Sequence, residues 1–180
     1  PTQPVEVAAA GFLVARCAPA DKYFAVIDAL RGCGWHVDPL RLFGGSLRMA
    51  ARRSHERVEL WYQRTPRMLA EPSRYTQVQR YHGFAHPSDL RPDMVLRRAG
   101  GASEHWLLVE VKLRRSVEEA ARAALQDLLA YRRAFDARLG KGDGVYGLGI
   151  AWGADLQPIP TEVMLCTPDT IKAAITRFAS

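Results

Sequence analysis

Three residues in two short apolar stretches have the types and spacing that could do chemistry. Asp93 opens the run Asp93-Met94-Val95-Leu96, and Glu110 and Lys112 close Trp106-Leu107-Leu108-Val109-Glu110-Val111-Lys112. Successive side chains of a strand point to opposite faces, so Glu110 and Lys112 share a face. The apolar run before them puts that strand inside a sheet, where a charge is costly unless it is paired or metal-bound. If the two stretches pair as a hairpin, the carboxylate of Asp93 approaches that of Glu110. Neighbouring carboxylates repel, and a hard divalent cation relieves the repulsion. Lys112 then stands beside the metal, where it can orient a water or neutralise a developing oxyanion. The competing reading of the same residues is a surface ion pair on an edge strand. Two sequence facts bear on the choice. Glu110 to Lys112 is the only acidic-x-Lys triplet, and a second Pro-Asp pair, Pro168-Asp169, is followed by none. Of 25 basic residues only Lys22, Lys112, Lys141 and Lys172 are lysine. In so arginine-rich a chain, lysine at 112 points to a need for a compact ammonium.

These residues need a sheet with helices to position it. Residues 20–33 read as a helix with Phe24, Ile27, Leu30 and Cys33 on one face, ended by Gly32 and Gly34. Trp35 to Leu40 reads as a short strand. From Arg57 to Gln63, Val58, Leu60 and Tyr62 alternate with Glu59, Trp61 and Gln63, which is a strand pattern. Residues 64–91 read as a long irregular excursion, of the kind that is often functional or mobile. Asp93–Arg98 and His105–Leu113 are two further strands joined by Ala99-Gly100-Gly101-Ala102-Ser103, which is turn chemistry. Ser116 and Glu119 make a capping box that opens a helix running to about Leu139. Its inward residues are Val117, Ala121, Ala124, Leu125, Leu128, Phe135 and Leu139, and Gly140 stops it. Val145–Trp152 reads as a strand buried on both faces, Glu162–Cys166 as a shorter strand, and Pro168–Phe178 as a closing helix. The order is helix, three strands, helix, strand, with a strand and helix appended. Antiparallel neighbours followed by a helical crossover imply an α/β fold with a mixed sheet.

The chain of 180 residues is 48% hydrophobic, enough for one domain with its own core. That domain is read at 20–180, after a lead-in at 1–19. The chain opens on Pro1 rather than Met, which fits a processed chain or a domain of a longer protein. No apolar run is long enough to span a membrane, and no signal peptide is visible. Cys17, Cys33 and Cys166 are few, scattered and odd in number, which fits a reducing cytoplasm better than a disulfide framework or a structural zinc site. A net charge of +6 suits phosphate backbones. GC-rich coding would give the same arginine bias.

The Pro92-Asp93 pair with Glu110-Val111-Lys112 resembles the PD-(D/E)XK nuclease superfamily, and the order of elements from about 20 to 152 is similar to its αβββαβ restriction endonuclease-like core. The resemblance implies a Mg²⁺-dependent DNA endonuclease, with Mn²⁺ as a substitute metal. Asp93, Glu110 and the main-chain carbonyl of Val111 would hold the ion, and Lys112 would assist the attacking water. Many members carry Gln and Tyr on the helix after the third strand. Gln126 and Tyr131 look like those positions: Gln126 as a polar contact to substrate or water, Tyr131 with packing as an equal alternative. Many also carry a first-helix Glu. Here Asp21 and Asp28 stand on that helix, and Glu59 is a further candidate ligand. The Glu59-Leu60-Trp61-Tyr62 stretch and the long loop before Pro92 look somewhat like McrC-type restriction subunits, which implies restriction or phage defence. The resemblance also leaves room for an RNA substrate and a homodimer.

Arg115, Arg122 and Arg133 fall with Gln126 along one flank of the long helix. Such a stripe is ordinarily a solvated face, and beside a nuclease centre it could track phosphates. His82 and His86 stand four apart but in loop surroundings without a third ligand. Gly147 and Gly149 make no dinucleotide fingerprint. No zinc module or helix-turn-helix appears, so targeting is expected from another domain or subunit. The alternative function is a non-catalytic nucleic-acid-binding or scaffolding domain with the same fold.

Overall fold

The computed structural model describes residues 21–43, 46–70, 73–86, 90–100, 103–139, 144–151, 156, 159 and 161–179. The lead-in, Gly140, Lys141 and Trp152 lie outside these residues, as do Cys17 and Gly101-Ala102 of the expected turn.

The first element is helix α1 over 21–32. Short strands β1 (His36–Val37) and β2 (Arg41–Phe43) lead into β3 (Ser46–Arg53) and β4 (Glu56–Tyr62). Helices α2 (Arg67–Ala70) and α3 (Arg74–Tyr81) precede β5 (Met94–Gly100) and β6 (Ser103–Lys112). Then come α4 (Val117–Ala134), α5 (Asp136–Leu139), β7 (Gly147–Ala151), β8 (Val163–Cys166), a 3₁₀ turn at Pro168–Thr170 and α6 (Ile171–Ala179). The eight strands form one sheet in the order β1-β3-β4-β5-β6-β7-β8, with β2 also on β3. From β3 to β6 the neighbours are antiparallel; β7 joins β6 in parallel after the α4 crossover, and β8 pairs parallel with β7. The protein is therefore mixed α/β, with helices on both faces of a mixed sheet. No helix among the described residues is long and apolar enough to cross a membrane.

Side-chain alternation divides the core in two. On one face, Val58 and Leu60 of β4, Met94 and Leu96 of β5, and Val109 and Val111 of β6 pack under α1 and α6. On the other, Trp61, Val95, Trp106 and Leu108 pack with Leu69 of α2 and with Leu128, Tyr131 and Phe135, which come from α4 and its C-cap. Glu110 and Lys112 follow Leu108 in register on this second face. The tightest contact there is made by glycines. A Cβ on Gly149 would sit 2.6 Å from Leu165 and 3.0 Å from Ala124, and one on Gly147 would sit 3.3 Å from Leu128. Absent side chains on β7 and small ones on α4 let the helix lie close to the sheet.

Several expectations hold, and several are corrected. α1 buries Tyr23, Val26, Ile27 and Leu30, whereas Phe24 is exposed and meets Tyr23 edge-on. Gly34 ends it with φ +79°, its N–H reaching Arg31 while Trp35 N–H reaches Leu30, a Schellman stop. The long helix stops at Ala134, five residues before the expected end, and α5 restarts it. The region read as irregular contains α2 and α3. Ser73 caps α3 by accepting from the Thr76 N–H, and no residue of that helix is buried, so apolar periodicity could not announce it. β3 differs from the expectation although Leu47, Met49 and Ala51 alternate with Arg48, Ala50 and Arg52, because alanines on both faces leave that alternation weak.

Candidate active site

The register of β4, β5 and β6 aligns three polar residues in one row. Tyr62 pairs with Met94, and Met94 with Val109. One step further along the same registers, Gln63 stands opposite Asp93 and Asp93 opposite Glu110. Pro92 then stands opposite Val111. In this ladder the Val111 N–H and carbonyl both face β5, but proline has no N–H to give that carbonyl. The Val111 N–H goes instead to Asp93 Oδ2 at 2.9 Å. The Pro-Asp pair thus ends the ladder, holds the Asp93 carboxylate against β6 and leaves the Val111 carbonyl without a ladder partner from β5.

Asp93 is fixed a second time by Gln63, whose Nε2 donates to Oδ1 at 2.6 Å. Gln63 adopts φ 52°, a left-handed conformation rare for a side chain of this kind, and its N–H bonds the Asp93 carbonyl at 2.8 Å. Local strain is held here by contacts to a site residue, as is common where geometry serves function.

Glu110 is 5% exposed. Its Oε1 accepts from Lys112 Nζ at 2.6 Å, and its Oε2 accepts from Tyr131 OH at 3.1 Å and, weakly, from the Asp93 N–H at 3.4 Å. Lys112 also meets Asp127 Oδ2 at 2.6 Å. Asp127 and Tyr131 are four apart on α4 and so share a helix face, which the glycine contact with β7 lowers onto the sheet.

Burial disfavours the charged form of both carboxylates. Burial and the neighbouring Asp93 push Glu110 up to about 7, against the pull of Lys112. Burial also raises Asp93, although Val111, Lys112 and Gln63 all favour its charged form. Burial works against the Lys112 ammonium, but Asp127 and Glu110 outweigh it and raise its pKa. Burial and Glu110 push the Tyr131 phenol up, so it stays a donor.

The structure thus brings together Asp93, Glu110, Lys112 and Tyr131, and adds Gln63 and Asp127. For Gln63 the sequence offers only its parity with Glu59 and Trp61, and for Asp127 only its four-residue spacing to Tyr131; each gives a face and not a partner. Gln126 is exposed. It is turned about 100° along the helix from Asp127, and it is Asp127 that reaches Lys112. Arg122 and Arg133 are exposed on that outer flank, about 120° to 180° round the helix from Asp127 and Tyr131. Arg122 is paired with Glu118, and Arg115 is exposed just before the Ser116 cap. Asp21 is exposed on α1, beneath the opposite face of the sheet, and Asp28 pairs with Arg31 on the same helix. Neither approaches Asp93. Glu59 is on the site face but two rows from Gln63, bound by Arg48, Arg57 and Arg97. Burial would raise its pKa, and Arg48 and Arg97 more than reverse this. His82 caps α3 and is exposed, as is His86. Among the described residues no group of three or more His, Cys, Asp or Glu side chains is placed to hold a metal ion; Asp93 and Glu110 face each other, and Asp127 is turned to Lys112. The chain matches no family model, no curated protein and no solved structure.

Proposed function

We propose that this chain is a Mg²⁺-dependent nuclease of the PD-(D/E)XK type that hydrolyses DNA phosphodiester bonds. The observation that carries the reading is the facing pair Asp93 and Glu110, both raised in pKa, beside a lysine at the broken end of a ladder. The order α1, antiparallel strands, α4 and parallel β7 supports the αβββαβ core, to which β3 adds a strand.

The residues present suit Mg²⁺. It binds through one or two carboxylates and keeps several waters, so two acidic side chains suffice. Asp93, Glu110 and the Val111 carbonyl offer hard oxygen donors, and the raised carboxylates are those that a cation would favour. Bound there, the ion would polarise a phosphoryl oxygen and acidify a coordinated water. The protein's own groups do the rest. Gln63 and the Val111 N–H hold Asp93 in one orientation, and Tyr131 does the same for Glu110. Asp127 holds the Lys112 ammonium at the site, where it can orient a water and neutralise charge growing on the phosphate.

A non-catalytic scaffold is favoured by one observation: Lys112 is already satisfied by two carboxylates. Incubation of the chain with single-stranded DNA, duplex DNA and RNA, each with and without Mg²⁺, decides between them. Mg²⁺-dependent cleavage of DNA is expected. No cleavage of any substrate with Mg²⁺ or Mn²⁺ would leave the scaffold. A role in restriction or phage defence rests on the resemblance to McrC-type subunits.

A further inference from the structure

The site face of the sheet continues past the carboxylates into a charged surface that hydrolysis does not use. There the register sets Arg52 of β3 directly opposite Arg57 of β4. Like charges opposite one another destabilise a ladder, so this pairing needs a reason. Two acidic residues hold the arginines from within. Glu59, 5% exposed, binds Arg48 and Arg57 through one oxygen and Arg97 through the other. Asp38 binds Arg52 at 3.1 Å. Arg48 also lies over the Trp61 ring, 5.4 Å from its centre. The guanidinium groups are anchored yet open: 44% exposed at Arg48, 64% at Arg52 and 51% at Arg57.

These three, with Arg41 and Asp38, line a cleft of about 270 Å³. No ion pair holds Arg41 among the described residues. Positive charge therefore exceeds negative in and beneath the cleft. Each guanidinium has five donors in a rigid fork suited to phosphate oxygens, and Glu59 and Asp38 use only part of that capacity. The volume is below the roughly 300 Å³ at which pockets for drug-sized ligands begin. It suits an anionic group.

We propose that Arg41, Arg48, Arg52 and Arg57 form a phosphate-binding cleft that takes a backbone phosphate of the nucleic acid, away from the scissile bond. The polymer's identity rests on the nuclease reading; the anion site does not. Strand geometry sets the separation. Arg57 is six residues along β4 from Gln63, about 20 Å, and Arg48 lies about 16 Å from Glu110, combining two residues along the strands with three strand spacings. The cleft therefore anchors substrate several nucleotides from the carboxylates, on the sheet rather than on α4.

The same chemistry could serve a free phosphate, so the test has two arms. In EDTA, which prevents cutting, anisotropy follows a labelled oligonucleotide across a salt series, with inorganic phosphate as competitor. The double variant Arg41→Ala, Arg52→Ala removes exposed side chains that do not touch Glu59. It should weaken oligonucleotide binding at least tenfold and flatten the slope of log K against log salt by about 0.7 to 0.9 per lost phosphate contact. Arg31→Ala, on α1 at the opposite face, should stay within twofold. If the double variant loses only competition by inorganic phosphate, the ligand is free phosphate and the nucleic-acid assignment is wrong. If neither changes, the cleft is not a phosphate site. A chain that binds through the cleft but never cuts with Mg²⁺ overturns the nuclease reading and leaves the cleft standing.

Discussion

Glu110→Gln should make the metal-free protein more stable at alkaline pH, while abolishing Mg²⁺ binding at the proposed site. With Glu110 pushed up to about 7 from an ordinary 4.5, the folded chain keeps a proton that the unfolded chain has released between those values. Stability therefore falls as pH rises from about 4.5 to about 7, and the loss is complete above that. At 1.36 kcal/mol per pKa unit the loss is about 3 kcal/mol. Glutamine removes the titration and can keep most of the hydrogen bonds. Its amide oxygen can accept from Lys112, and its NH₂ can donate to the Tyr131 oxygen. The Tyr131 O–H can then turn to the Arg91 carbonyl, already 3.4 Å away. Only the weak bond from the Asp93 N–H is lost. In urea titrations, the expected gain is about 2 kcal/mol or more at pH 8, or about 5 to 10 °C in Tm. At pH 4 the two proteins should agree within about 0.5 kcal/mol, because Glu110 is then mostly protonated in both states. Adding Mg²⁺ at pH 8 should stabilise the wild type by mass action and leave the variant unmoved. A variant equally or less stable at both pH values would mean that no uncompensated charge is buried at Glu110.

Asp93→Asn keeps an acceptor for the Val111 N–H but loses the charge, so calorimetry should show Mg²⁺ and Mn²⁺ binding abolished with the circular dichroism spectrum unchanged; retained binding would displace the site. Lys112→Ala should lower turnover on the order of a hundredfold or more while DNA affinity stays within a few-fold, and wild-type cleavage would exclude a catalytic role. The same variant removes the only cation in contact with Glu110 among the described residues, so infrared titration of that carboxyl should find its pKa moved further up. Gly149→Ala puts a methyl 2.6 Å from Leu165 and 3.0 Å from Ala124. Overpacking of this kind costs about 1 to 3 kcal/mol. By lifting α4 it should also reduce cleavage, whereas Gly144→Ala, with open space around it, should do neither.

The parts of this molecule that were legible in its sequence are those where burial enforces a period. β4, β5, β6 and β7 alternate or run apolar because helices cover both faces. α4 carries a cap at Ser116 and an inward stripe, though Ala120, Tyr131 and Ala134 are buried beyond the residues expected. β3 and α3 escaped for the opposite reason. β3 buries Met49 and Ala51 on one face but carries the exposed Arg48 and Arg52, paired with Glu59 and Asp38, on the other, which weakens its alternation, and α3 buries nothing and leaves no apolar signature. Pattern reading finds residues that flee water, whereas the cleft arginines are held by carboxylates distant in sequence.

The site divides along the same line. Asp93, Glu110 and Lys112 stood out because charge at the end of apolar strands violates a local rule, which happens where a protein needs it. Their supports violate nothing locally. Gln63 is an ordinary strand-end residue until the register puts it opposite Asp93. Asp127 is an ordinary helix residue until Gly147 and Gly149 let α4 descend and bring it to Lys112. Gln126 and Asp127 are one residue apart, but on a helix one residue is about 100° of rotation, the difference between the exposed Gln126 and an Asp127 that reaches Lys112. How closely α4 approaches the sheet is set by Gly147 and Gly149 of β7, some twenty residues later. The proposed chemistry therefore rests on three conspicuous residues, and their support on glycines whose contribution is the side chain they lack.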